Sequence, residues 1–182
     1  PNSYYPYCEG RLVNLGGYGV KWNQLVQNGN FADGTTGWAT TQGTSSVTNG
    51  VVTFTGTAAS GKIQQSINCI AGHKYLIRFE AVQSNSGDNY NMRVYDADIS
   101  SIVSVPLTTN WTHYGIIVTQ PKSGSCYFQL LRSGNSYTGH AQAKNAMYVD
   151  LTEMFGPGSE PTLEEFEAMF PDDYYEYNEG TE

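Results

Sequence analysis

Between residues 25 and 151 the chain is written as short runs in which apolar and polar residues alternate, each closed by glycine, asparagine, aspartate or serine. Neighbouring side chains of a strand point to opposite faces, so such a run buries one face and wets the other. The runs fall at 25–28, 47–48, 51–55, 62–69, 73–84, 90–96, 102–105, 111–120, 125–132 and 146–151. Asn49-Gly50 joins two of them with the pair that a two-residue hairpin turn prefers, because both turn residues adopt positive φ. Strands this short and this numerous bury their apolar faces by stacking two sheets. The expected fold class is all-β, a jelly-roll β-sandwich with a short C-terminal helix.

That helix announces itself where the period changes. Residues 161–171, Pro-Thr-Leu-Glu-Glu-Phe-Glu-Ala-Met-Phe-Pro, carry signals at both ends. Thr162 and Glu165 form a capping box, in which the hydroxyl takes one orphan amide and the carboxylate reaches back to another. Glu164 and Glu165 suit the positive end of the helix dipole. Leu163, Phe166, Met169 and Phe170 make an apolar face, and Pro171 ends it. This face is expected against the sandwich or against a neighbouring module. Residues 1–24, interrupted by Gly16-Gly17-Tyr18-Gly19, are expected to be a lead-in from a preceding module. The expected organisation is thus a lead-in (1–24), a sandwich domain (25–151) and an acidic connector with a short helix (152–182).

The two ends spell nearly the same phrase. Residues 1–10, PNSYYPYCEG, recur at 171–180 as PDDYYEYNEG, with six of ten positions identical. Self-similarity at a fixed offset is the mark of an array. It predicts neighbouring modules of the same array or fibre as partners, and a chain excised from something longer.

The bulk properties exclude several function classes. A hydrophobic fraction of 39% is enough to exclude disorder. A net charge of −8 repels phosphate backbones, so no nucleic-acid partner is expected. No apolar run approaches the roughly 18 residues of a membrane span, and no membrane partner is expected either. Cys8, Cys69 and Cys126 are too few for a disulfide framework. Cys126 lies on the apolar side of its run and is expected as a buried thiol; spacing leaves a Cys69–Cys126 bridge open. His73, His113 and His140 form no HExxH, and no G-x-S-x-G phrase exists. A glycosidase needs two carboxylates across a cleft, and of those in the body only Glu80 projects from the face considered below. The chain is therefore not expected to be an enzyme.

The order of phrases adds a resemblance. Residues 23–38, NQLVQNGNFADGTTGW, resemble the opening of the carbohydrate-binding jelly rolls of the family 4/9/22 type, which begin with N-G-x-F and a G-W shortly after. The phrases that follow, I-Q-Q-S-I at 63–67, Y-L-I-R-F at 75–79, W-T-H-Y at 111–114 and M-Y-V-D at 147–150, keep the order of that family over residues 24–151. Many such modules hold a structural Ca²⁺ between the opening phrase and the closing strand. The resemblance places Asn28, Asn30 and Asp150 there, although Ala32 stands where an acid often follows the Phe. Residues 151–161, then the helix and Tyr174-Tyr175, resemble a segment of tail and receptor-binding proteins from phages and prophages of Gram-positive gut bacteria. An extracellular or virion location is what this resemblance implies.

A sugar site needs flat aromatic rings and planar polar groups on one face. Alternation points Tyr75, Ile77, Phe79 and Ala81 inward and leaves Arg78 and Glu80 outward. It points Met92 and Val94 inward with Asn91, Arg93 and Tyr95 outward, and Cys126, Phe128 and Leu130 inward with Tyr127 and Gln129 outward. If those three strands are neighbours, as the resemblance implies, Arg78, Glu80, Asn91, Arg93, Tyr95, Tyr127 and Gln129 share one sheet face. The same face is equally what a solvated sheet with Arg–Glu cross-strand pairs would present. Trp38 and Trp111 are expected to be structural. The expected function is non-catalytic binding of a cell-surface or dietary glycan. The alternative is a structural spacer whose repeated ends dock one copy on the next.

Overall fold

A computed structural model describes residues 23–134 and 139–175, together with the backbone of β1 (Val13–Leu15) and β2 (Tyr18–Val20), which pair as a hairpin. Ten further strands stack as two five-stranded antiparallel sheets. The front sheet runs in the order β3 (Ala39–Thr41), β6 (Lys62–Cys69), β11 (Gly124–Arg132), β8 (Tyr90–Tyr95), β9 (Ser101–Pro106). The back sheet runs β10 (Thr112–Thr119), β7 (Lys74–Gln83), β12 (Ala141–Asp150), β5 (Val51–Gly56), β4 (Gly43–Thr48). This is a jelly-roll β-sandwich.

The alternating runs make the core as expected. Ile63, Met92, Phe128 and Leu130 from the front sheet meet Phe54, Ile77, Phe79 and Tyr148 from the back sheet. Aromatic rings bridge the gap: Phe128 lies 6.2 Å from Phe79 and 6.1 Å from Tyr148. Asn49 and Gly50, at φ 51° and 73°, make the β4–β5 turn. Cys69 and Cys126 are buried and free, and burial pushes both thiols up from their ordinary value. Neither is a nucleophile at neutral pH.

Three local features depart from the sequence pattern. Residues 25–28 form no strand, although Gln24 bridges Val149 and the Leu25 amide donates to the Tyr148 carbonyl. β12 starts at Ala141 rather than 146, because Ala141 and Ala143 face the core where a larger apolar residue would have advertised a strand. A register shift between Lys144 and Met147, with Asn145 at φ 54°, then re-aims its second half.

The segment after β12 adds a third layer. Helix α1 (Leu151–Phe155) starts where the Asp150 carboxylate accepts from the Glu153 amide, a signal too short to show periodicity. Helix α2 (Leu163–Met169) carries the Thr162/Glu165 capping box. The apolar face of α2 packs on the sandwich: Phe166 and Phe170, with Met154 of α1 and Tyr175 of the tail, cover Leu76, Met147 and Val149 on the outer side of the back sheet. β7 and β12 are thereby buried on both faces. Gly115 makes the close approach possible, since a Cβ there would meet Leu163 Cδ1 at 2.8 Å. Burying rings such as Phe166 and Phe170 stabilises this layer by roughly 1.5–3 kcal/mol each. Through Tyr175 the expected connector is therefore packed on the sandwich. Of the repeated phrases, residues 1–10 and 176–180 lie outside the described residues.

The α1–α2 turn is fastened by Glu160, whose carboxylate accepts from Thr152 Oγ1 at 2.8 Å, the Gly158 amide at 3.0 Å and Lys74 Nζ at 3.2 Å. The Thr152 hydrogen bond, with help from Lys74, holds the Glu160 carboxyl well below the usual range, at about 2. A carboxyl depressed on folding stabilises the protein above its unfolded value and loses that contribution as pH falls through the folded one. Acid titration followed by tail-specific proteolysis should show the tail loosening between about pH 4.3 and pH 2. Glu160→Gln should show the loosened behaviour already at neutral pH and flatten that part of the profile.

Candidate functional site

The outward positions of the front sheet line up in rows across the strands. One row is Ser66, Tyr127, Tyr95; the next is Gln64, Gln129, Arg93, Ser104; the third is Lys62, Leu131, Asn91, Pro106. Five of the seven proposed ligand residues, Asn91, Arg93, Tyr95, Tyr127 and Gln129, therefore share this face. Tyr95 and Tyr127 stand directly opposite each other and are both half-buried. Hydrogen bonds along and between the rows pre-set the polar groups. Arg93 Nη1 donates to the Tyr95 hydroxyl at 2.9 Å while its Nε donates to Ser104 Oγ at 3.3 Å. Gln129 Nε2 donates to Gln64 Oε1 at 2.8 Å, and Asn91 Nδ2 to Ser133 Oγ at 2.8 Å. Gln129 is only 4% exposed, so it forms floor rather than rim.

Beside the tyrosines the sheet carries a depression of about 340 Å³. Lys62, Arg93, Tyr95, Gln129 and Ser133 supply its polar lining, and Leu131 and Ile99 its apolar lining. Ile99 is 67% exposed and sits at φ 63° in the β8–β9 turn, which Asp96 closes by accepting from the Asp98 and Ser100 amides. A β-branched residue with positive φ is a genuine outlier, and here it stands at the edge of the depression. Lys62, Ser133 and Ile99 were not anticipated. Parity alone places Lys62 on the face, but Ser133 and Ile99 lie beyond strand ends, where alternation gives no signal.

Arg78 and Glu80 are not part of this face. They point outward as expected, but from β7, in the back sheet, while β8 and β11 belong to the front sheet. Alternation decides which side of its own sheet a residue occupies and not which sheet the strand joins. Arg78 is 3% exposed and acts as the anchor of the tail: Nη1 donates to the Phe170 carbonyl at 3.2 Å and Nη2 to the Asp172 carbonyl at 3.1 Å. Glu80 pairs with Lys144 Nζ at 3.1 Å and accepts from Asn145 Nδ2 at 2.8 Å.

The Ca²⁺ set does not fit. The Gly29 carbonyl is bonded to the Ala146 amide, which leaves Asn28 and Asn30 four residues along β12 from Asp150, roughly 13 Å at strand rise. Asp150 is held by His73 Nδ1 at 2.9 Å and by the α1 cap. Asn28 Nδ2 donates to the carbonyls of Gly34 and Thr36 at 3.1 and 3.0 Å, and so closes its own loop. Asn30 Oδ1 accepts from the Ala32 amide. Trp38 is structural, packed 5.1 Å from Phe31 with its indole donating to the Asn28 carbonyl. Trp111 is 45% exposed instead, with Lys144 Nζ 5.5 Å from its ring centroid.

No family model matches this chain, and no curated protein resembles it in sequence. Solved structures do resemble it in fold. A family 16 carbohydrate-binding module superposes with a TM-score of 0.53 at 19% identity, covering 69% of this chain and 99% of that one. A family 61 module in complex with β-1,4-galactotriose gives 0.53 at 16% identity, covering 70% and 98%. The enzymatically active domain of bacteriophage CBA120 tailspike protein 4 gives 0.53 at 16% identity over 69% of this chain but only 21% of that one. The chain thus spans about the whole of such a binding module and about a fifth of the tailspike domain. At these identities the likeness establishes the jelly-roll sandwich.

The position of Arg78 gives a direct check. Arg78→Met should remove the two guanidinium hydrogen bonds to the Phe170 and Asp172 carbonyls and cost about 2–4 kcal/mol in urea unfolding. Limited proteolysis should cut the tail faster while the front sheet keeps its near-ultraviolet signature.

Proposed function

We propose that this chain is a non-catalytic glycan-binding module that takes its ligand on the outward face of the front sheet. The observation that carries the reading is the cross-strand pair Tyr95–Tyr127, half-exposed beside a depression with polar groups already fixed by Arg93–Tyr95 and Gln129–Gln64 hydrogen bonds. Preset donors and acceptors bind sugar hydroxyls without a further ordering cost. The tyrosine rings would stack on the apolar faces of pyranose units laid along the sheet. Arg93 and Asn91 would select hydroxyl positions, and Gln129 would form the floor.

The solved modules of the same fold support the reading, one of them in complex with a galactotriose. The depression carries the cations Lys62 and Arg93 and no carboxylate among its described lining residues. On a chain of net charge −8 this is a local reversal, and it favours glycans bearing carboxylate or another anion over neutral ones. We place the module in a secreted multimodular protein or a phage tail fibre, a reading supported by the tailspike likeness and by the repeated terminal phrase.

A glycan array that pairs neutral with acidic sugars tests this. The chain should retain one class, acidic sugars most strongly and with salt-sensitive affinity. Tyr127→Ala should weaken the best ligand by about tenfold, which is about 1.4 kcal/mol. An array with no retained sugar, or undiminished binding by Tyr127→Ala, would count against the proposal.

A further inference from the structure

The uncovered part of the back sheet holds a second cluster, independent of the glycan reading and on the opposite side of the sandwich. His113 of β10 and Glu80 of β7 are register partners, and the tail brings Asp173 beside them. One ligating atom of each lies within 4.8 Å of the other two. Helix α2 adds Glu167, whose Oε1 is 3.8 Å from His113 Nε2. The four side chains come from four different segments and line one cleft of about 320 Å³.

The state of His113 suggests what the cleft lacks. Its Nε2 receives a hydrogen bond from Arg78 Nε at 3.3 Å. An arginine only donates, so in this contact Nε2 takes the acceptor role. It also faces the Glu167 carboxylate, which is likewise an acceptor. Two acceptors facing one another leave room for something positive between them. Arg78 supplies this in part, but its two Nη groups are committed to the tail carbonyls. Each oxygen of Glu80 makes one hydrogen bond, to Lys144 or Asn145, and keeps its other lone pair.

We infer that Glu80, His113 and Asp173 bind a divalent transition-metal cation, with Glu167 as a fourth donor. One imidazole with carboxylates suits zinc, nickel or copper rather than calcium or magnesium. Donor atoms around a tetrahedral zinc stand roughly 3.3 Å apart at bond lengths near 2.0–2.1 Å. Closing a spacing of up to 4.8 Å to that takes shifts of roughly 1–1.5 Å in His113 and Asp173, both of which are exposed side chains. Arg78 Nε moves off His113 as the ion arrives, while its Nη donors stay on the tail. The bound ion would staple α2 and the tail to the sheet, adding a metal bond to a layer already held by apolar burial, by Arg78 and by the Glu160–Lys74 pair.

Zinc titrated into the metal-free chain by calorimetry at pH 7.5, where an ordinary histidine is neutral, tests the site. One zinc should bind, with calcium far weaker. Asp173→Asn and His113→Gln should each weaken zinc binding by at least the roughly tenfold that losing a supporting partner costs. Asp173 is exposed and outside the core, so its variant folds; circular dichroism verifies both. Zinc should also slow proteolysis of the tail in the parent chain and not in Asp173→Asn. No zinc binding overturns the proposal. So does zinc binding that survives both substitutions, which would place the ion on other groups such as His73 or His140.

Discussion

Arg78 decides which side of this molecule is free. A guanidinium projecting from the middle of β7 has to be solvated or capped, and the tail caps it with two backbone carbonyls, from Phe170 and Asp172. Around that anchor Leu76, Met147 and Val149 gain a lid of Phe166, Phe170 and Tyr175. The middle of the back sheet, at β7 and β12, is converted from an outer face into an interior layer. The front sheet has no such cover among the described residues, and its outward rows remain available. Tail and ligand face are therefore consequences of one placement: a cation and an apolar stripe on one outer surface, tyrosines and amides on the other.

The sequence made one half of this visible. Strand parity correctly separated Tyr75, Ile77 and Phe79 from Leu76, Arg78 and Glu80, and Met92 and Val94 from Arg93 and Tyr95. Parity is a local property, set by the pleat, and survives any topology. Sheet membership is a long-range property, and no local pattern records it. Parity therefore does not separate Arg78 and Glu80 from Tyr95 and Tyr127, which lie on the other side of the sandwich. The capping box at Thr162 and Glu165 was legible for the same reason that parity was: every contact in it lies within one turn.

Other features were hidden for physical reasons that can be named. The first half of β12 packs Ala141 and Ala143 into the core, and alanine carries no strand preference. Leu76 has the parity of an outward residue, yet it is fully buried, because the layer that follows β12 covers it. His113 stands at no metal-ligand spacing from His73 or His140 in the sequence. Its neighbours Glu80 and Asp173 reach it through a strand pairing and a tail fold-back that sequence spacing does not encode. Convergence of this kind becomes visible only when β10, β7 and the tail are placed together.

The two faces also differ in how freely they can vary. Side chains at Tyr95, Tyr127 and Asn91 lie on the outward face, and exchanging them leaves the core rows of Met92, Val94 and Phe128 in place. A front sheet of this kind tolerates new binding chemistry at little cost to folding. On the back sheet, Gly115, Arg78 and Met147 stand in one row beneath the tail, and each is constrained by what covers it. Changes there act through the stability of the third layer. Ligand selection belongs to the front rows and attachment of the tail to the back rows. The β-sandwich core between them is rigid enough for the two to be altered separately.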